Sequence, residues 1–192
     1  MLLLIAGLVI FLGAHLFTTR REARAAAIGR LGETGYKLAY SAVSLVGFAL
    51  IVIGYGSARD AGPVDIWYPP AGLRHLALLI NLPIFVLLAA AYLPGRIKSA
   101  TKHPMLLAVK LWALAHLLAN GDLASILLFG SMLAWAVLAR IAAKRREAVE
   151  GVPDRAGPAR NDVIAILIGL AAYVAMLLWG HQVLIGVPIL PG

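Results

Sequence analysis

The feature that most constrains this chain is where its cations fall. Of 17 lysines and arginines, 15 lie in three short stretches, residues 20–37, 96–110 and 140–160. Only Arg59 and Arg74 lie elsewhere. Between the clusters the chain is almost purely apolar: 61% of all residues are hydrophobic, only 14% are charged and the mean hydropathy is +0.88. A soluble domain carries about 25% charged residues. Apolar runs punctuated by basic loops instead describe a polytopic membrane protein, because cytoplasmic loops retain Lys and Arg. The net charge of +8 is then a topology signal. It calls for no nucleic acid, and the basic loops need no partner beyond the lipid bilayer.

A spanning helix needs about 20 apolar residues, within about 17–25. Six candidate spans cover roughly 2–19, 36–57, 75–93, 104–119, 122–139 and 162–186. Asn120-Gly121-Asp122 reads as a tight polar turn between antiparallel helices. Gly151-Val152-Pro153-Asp154 and Gly157-Pro158 break the chain before the last span, so that loop is the expected flexible segment. The basic loops follow spans one, three and five, which puts them in the cytoplasm of a bacterial inner membrane and both termini outside. Trp67 and Tyr68, beside Pro69-Pro70 in the 58–74 loop, suit an interfacial aromatic belt. The expected fold is a single all-α domain over residues 1–192, a compact multi-pass helical bundle. The first run, lacking a basic leader and a small-residue cleavage site, reads as a retained span.

Ionisable groups at membrane depth are expensive and mark function. His15, His75, His103, His116 and His181 all fall in spans or at their edges. Neutral histidines also serve as ordinary interhelical contacts. Five of them, with no cysteine and few carboxylates, raise the case for a metal or haem site, since imidazole suits iron, copper and zinc. The lack of cysteine excludes disulfides, thiolate metal sites and thioether-linked haem. In span four, Trp112, His116 and Asn120 recur at i, i+4 and i+8 and share one stripe, whereas His103 and Lys110 share another. Lys110 is placed to snorkel to the interface. Tyr40, Ser44 and Gly47 form a small, polar face for close packing. Pro83 is expected to kink span three and leave a carbonyl near Asn81 unpaired. Asp122 is expected to cap the following helix, and Glu33 to pair with an arginine. Asp60, Asp65, Glu147, Glu150 and Asp154 read as solvated loop residues. No Ser-His-Asp spacing, phosphate loop or His-Glu-x-x-His occurs, so hydrolase and nucleotide chemistry lack support.

Two segments carry a family resemblance. One is Gly13-Ala14-His15-Leu16, then Gly32-Glu33-x-x-Tyr36 and Tyr40-Ser41-Ala42-Val43-Ser44. The other is Lys102-His103-Pro104-Met105, then Leu111-Trp112-Ala113-Leu114-Ala115-His116, ending in Asn120-Gly121-Asp122. Over roughly residues 1–140 the chain resembles the NnrU family of bacterial membrane proteins, linked to nitrite and nitric oxide reductase expression and so to denitrification. That family includes the zeta-carotene isomerases, which are haem b proteins. The resemblance implies His15 and His116 as axial ligands of a haem b iron, with His103, Trp112 and Asn120 around it. A lipophilic small molecule or nitric oxide is the implied substrate or ligand. The isomerases carry His-Ser-Gly-Leu at the first site, where this chain has His15-Leu16-Phe17-Thr18. His103-Pro104 also resembles the Arg-His-Pro of membrane methyltransferases that use S-adenosylmethionine, with Arg140, Glu147 and Glu150 as the nearby charged candidates. A third reading is a non-catalytic assembly factor for a membrane complex.

Depth constrains the ligand pair. On straight helices at 1.5 Å per residue, His15 lies ~7 Å from the cytoplasmic end of span one, and His116 lies ~18 Å into span four, a gap of about 10 Å. By depth alone His15 falls nearer His103, and His116 nearer His181 and His75.

Overall fold

The structure, a computed structural model, describes residues 1–153 and 155–190. It is all-helical: α1 (Leu2–Phe17), α2 (Arg21–Asp60), α3 (Ala71–Asn81), α4 (Ile84–Tyr92), α5 (Arg96–Thr101), α6 (Pro104–Ala119), α7 (Leu123–Glu150), α8 (Ala159–Ala175) and, after a π turn at Met176–Gly180, α9 (His181–Ile185). Four segments are long and apolar enough to cross a membrane: Arg21–Asp60, Ala71–Tyr92, Leu123–Glu150 and Ala159–Ile185. Where six spans are expected, the remaining two, α1 and α6, are shorter apolar helices of 16 residues each. Each is ~24 Å long, somewhat less than the ~30 Å hydrocarbon core.

Close backbone approach welds α1 to α2. An added Cβ on Gly47 would lie 2.7 Å from the Phe11 nitrogen, and one on Gly7 would lie 2.6 Å from the Ile51 nitrogen. Gly54 meets the Leu4 backbone in the same way. Small residues at these crossings let van der Waals packing replace the hydrophobic drive that lipid removes. The Tyr40-Ser44-Gly47 face thus packs as expected at Gly47. Against this hairpin lies α7, with Leu4, Leu8, Ile51, Ala124, Leu128 and Phe129 in one buried core. A second core joins Ile84, Leu87 and Ala108 of α4 and α6.

Several helix ends differ from expectation. A helix leading into the second span begins at Arg21, and the chain breaks at Gly32, whose φ of 71° is non-helical, so the expected span at 36–57 lies within the helix that follows this break. Glycine adopts this left-handed φ without a Cβ penalty. Helix α7 runs on to Glu150, eleven residues beyond the expected end of span five at 139. Span three does break at Pro83, between α3 and α4. The carbonyl that Pro83 cannot serve, Leu79 O, accepts instead from Leu82 N at 3.3 Å, while Asn81 Nδ2 donates to Ala77 O at 2.9 Å and Tyr173 Oη to Leu78 O at 3.1 Å. A tightened backbone bond has re-satisfied the freed carbonyl, as lipid requires.

The two ends of the bundle are built differently. At one end Asp122 caps α7 as expected, its Oδ1 accepting from Ser125 N at 2.9 Å. Its Oδ2 accepts from Ser125 Oγ at 2.6 Å, and that hydroxyl also bonds Tyr55 Oη at 2.8 Å. The 62–70 loop folds onto this turn: Ile66 N and Trp67 N both donate to Gly121 O, at 2.9 and 3.2 Å. Any Cβ at residue 121 would collide with the Trp67 carbonyl. At the other, basic end the loops are tied by ion pairs.

Candidate functional site

Helix α7 is the spine of the site, and three histidines meet it in sequence. His116 of α6 stacks on Phe129, with 4.5 Å between ring centroids. His15 of α1 meets Trp135 edge-on at 5.4 Å. His103, just before α6, bonds Glu147 at 2.6 Å. Phe129 and Trp135 are six residues apart, ~9 Å along the helix axis. That spacing agrees with the depth difference expected for His15 and His116.

His15 and His116 are held in one way. His15 Nδ1 lies 2.7 Å from Phe11 O, and His116 Nδ1 lies 2.7 Å from Trp112 O, each four residues back on its own helix. A carbonyl only accepts, so each Nδ1 carries the proton and donates it. The Nε2 of each ring is left with its lone pair. This is the tautomer of a metal-ligating imidazole whose far nitrogen is anchored. The Trp112, His116 and Asn120 stripe is joined by a further bond, Asn120 Nδ2 donating to His116 O at 2.9 Å.

A cavity of about 560 Å³ opens beside α7 at its basic end. The half-buried His15, His103, Leu106 and Trp135 line it, with Thr18, Thr19 and Arg21 and the exposed Arg145 and Arg146. His116 is not among its lining residues. Tyr40 stands on the other side of His15, at 5.5 Å between rings. The buried Nε1 of Trp135 has no hydrogen-bond partner among the described residues, nor do Tyr36 Oη and Ser44 Oγ on α2. His75 is exposed on α3. His181 Nδ1 donates to Val187 O at 2.6 Å, near the chain's end. Among the described residues no group of three or more His, Asp or Glu is arranged to hold a metal ion.

The carboxylates at the basic end correct the expectation of solvated loop residues. Glu147 sits on α7 with its side chain only 10% exposed, between His103 and Arg155 and 3.9 Å from Arg140. Arg155, on the loop expected to be flexible, is 9% exposed and bonds the same carboxylate. Glu150, exposed as expected, pairs with Arg21, and Asp65, exposed in the loop at the opposite end, accepts from Tyr68 Oη at 3.2 Å. Glu33 pairs with Lys37 at 2.7 Å rather than with an arginine. Asp154 lies outside the described residues. Burial pushes the His103 imidazole below its ordinary range, helped by Arg140 and Arg155 and opposed by its bond to Glu147. His103 is thus held neutral and donates Nε2–H to the carboxylate.

The model of the NnrU protein family matches residues 3–189. The chain belongs to the NnrU family. No curated protein and no solved structure matches it. The match to the NnrU model runs past the 1–140 stretch that carries the motif resemblance, so α8 and α9 belong to the family pattern too. Within this NnrU-family chain the cavity gathers residues that motif reading left out: Trp135, Arg145 and Arg146. The signal for Trp135 and Arg146 was available in the spacing, since 135, 139, 142 and 146 recur at helical intervals along one continuous face. Recognising it required knowing that α7 continues past residue 139.

Proposed function

We propose that this protein is a six-pass membrane haem b protein, with its basic end in the cytoplasm and His15 as an axial ligand of the iron. The observation that carries the reading is the anchored tautomer of His15, whose Nε2 keeps its lone pair beside a cavity walled by Leu106 and Trp135. The residues present fit the group. A haem brings four ligand nitrogens of its own, so the protein need supply only one or two imidazoles. The apolar side formed by Leu106, Trp135 and Ala139 suits the macrocycle, and the unpaired Nε1 of Trp135 is a buried donor in need of a partner. His116, held in the same tautomer, is the second ligand that the family resemblance implies; it stands ~9 Å from His15 along α7 and outside the cavity lining, so the cavity itself supplies only His15. A bound haem would supply an iron able to take nitric oxide or to act on a double bond of a lipophilic molecule. Phe11 and Trp112 orient the two imidazoles, Leu106 and Trp135 give the cavity an apolar side, and Glu147 holds His103 in place at the cavity's edge.

The six-pass count follows if α1 and α6 cross as short spans beside longer neighbours, the basic clusters all falling on one side. A link to denitrification rests on the family resemblance. The test is the absorption spectrum of detergent-purified protein from cells supplied with haem. A Soret band that disappears in His15→Ala supports the reading. A colourless wild type, or a band indifferent to His15→Ala, overturns it. His116→Ala then assigns the second position: conversion of a low-spin to a high-spin spectrum supports bis-histidine ligation, and an unchanged spectrum removes His116 from the iron.

A further inference from the structure

The cavity has a second half that an imidazole does not explain. Along α7 its wall changes from apolar, at Trp135 and Ala139, to cationic, at Arg145 and Arg146. These residues share one continuous helix. The other arginines nearby each face a carboxylate: Arg21 pairs with Glu150, Arg155 with Glu147, and Arg140 lies 3.9 Å from that same Glu147. Arg145 and Arg146 pair with no carboxylate among the described residues. Basic residues after a span are ordinary topology devices, and Lys144 is one such residue, outside the cavity lining. The two arginines differ from it in lining a cavity that also holds a free imidazole nitrogen.

We infer that Arg145 and Arg146 bind the acid groups of the cavity's ligand, so that the site selects an amphiphile with an apolar body and paired carboxylates at one edge over a neutral lipophile of the same shape. The guanidinium fork matches a carboxylate in two parallel hydrogen bonds. Trp135 lies ten residues before Arg145, ~15 Å along the axis, and the long arginine side chains shorten the distance a rigid molecule must bridge. The inference rests on the haem reading for the identity of the ligand, because haem b is such a dicarboxylate. The charge selection itself needs no iron.

The experiment titrates purified full-length protein, in a non-ionic detergent, with iron-free protoporphyrin IX and with its dimethyl ester, followed by fluorescence. Wild type is expected to bind the free acid at least about tenfold more tightly than the ester. The ratio should fall toward one in the Arg145→Gln, Arg146→Gln double variant and stay high in Lys144→Gln. Both arginines are exposed, so thermal unfolding should be unchanged and binding read cleanly. Equal affinity for acid and ester in wild type overturns the inference, as does a preference that survives the double variant. Displacement of the acid by anionic phospholipid but not by zwitterionic phospholipid would uphold acid recognition with a phosphate headgroup as its source. Two outcomes separate this inference from the haem reading. An intact acid preference with no Soret band sensitive to His15 upholds the arginines and sinks the iron ligand. Haem bound through His15 with no acid preference does the reverse.

Discussion

His15 meets the edge of Trp135 at 5.4 Å between ring centroids while its Nδ1 is tied to the Phe11 carbonyl at 2.7 Å. One nitrogen is thereby spent on α1 and the ring is steadied by α7. Only Nε2 remains for chemistry. His103 differs in spending its Nε2 on the Glu147 carboxylate of another helix.

The Glu147 carboxylate gathers His103, Arg140 and Arg155 from three separate segments. Glu147→Gln should therefore destabilise the protein more than any exposed carboxylate change, because it strands the nine-tenths-buried Arg155. In detergent, thermal unfolding should begin several degrees lower in this variant. Asp60→Asn, at an exposed helix end, should leave unfolding where it is.

The His103 contact also sets a pH dependence. The folded state holds the imidazole below its ordinary value of about 6.5, mainly by burial. As pH falls, the unfolded chain takes up this proton before the folded one does, so stability is full above about 6.5 and declines as pH drops toward the folded value. Unfolding curves between pH 7.5 and 5 should show this loss. The slope should be shallower in His103→Gln, and equal slopes in the two proteins would remove His103 as its source.

At the opposite end, Asp122 both caps α7 and holds the fully buried Ser125. Asp122→Ala should cost about 2 kcal/mol, the sum of a lost cap and a buried hydroxyl deprived of one partner. Asp122→Asn keeps an acceptor for Ser125 N and should cost clearly less. Equilibrium unfolding in mixed micelles distinguishes the two.

The α1–α2 weld predicts a steric effect. Gly54→Leu drives a side chain into the Leu4 backbone and should destabilise by at least about 2 kcal/mol. Because α1 carries His15, the same variant should also weaken whatever binds in the cavity. Gly56→Leu, two residues on with open space around its Cβ position, should do neither.

Much of this was legible in the sequence for simple physical reasons. Apolar runs between basic clusters dictate an all-helical membrane bundle, and Asp122 announces its cap by standing just before an apolar run. The stripe from Trp112 to Asn120 follows from helical spacing alone. What could not be read was where helices end in polar sequence. The stretch from Arg140 to Glu150 is charged enough to resemble a loop, yet it stays helical because its Glu147 is consumed by His103 and Arg155, partners 44 and 8 residues away. That hidden extension is what builds the cavity's cationic side. Glu33 went to Lys37 because a partner one helical turn away is nearer than any arginine across the Gly32 break.

The measurement that bears most directly on the central claim is the Soret absorbance of purified protein in wild type and in His15→Ala, made side by side from haem-supplied cells. The account predicts a Soret band in the wild type and its loss in the variant, with both proteins folded by circular dichroism. A Soret band of equal height in both, or none in the wild type, would contradict it.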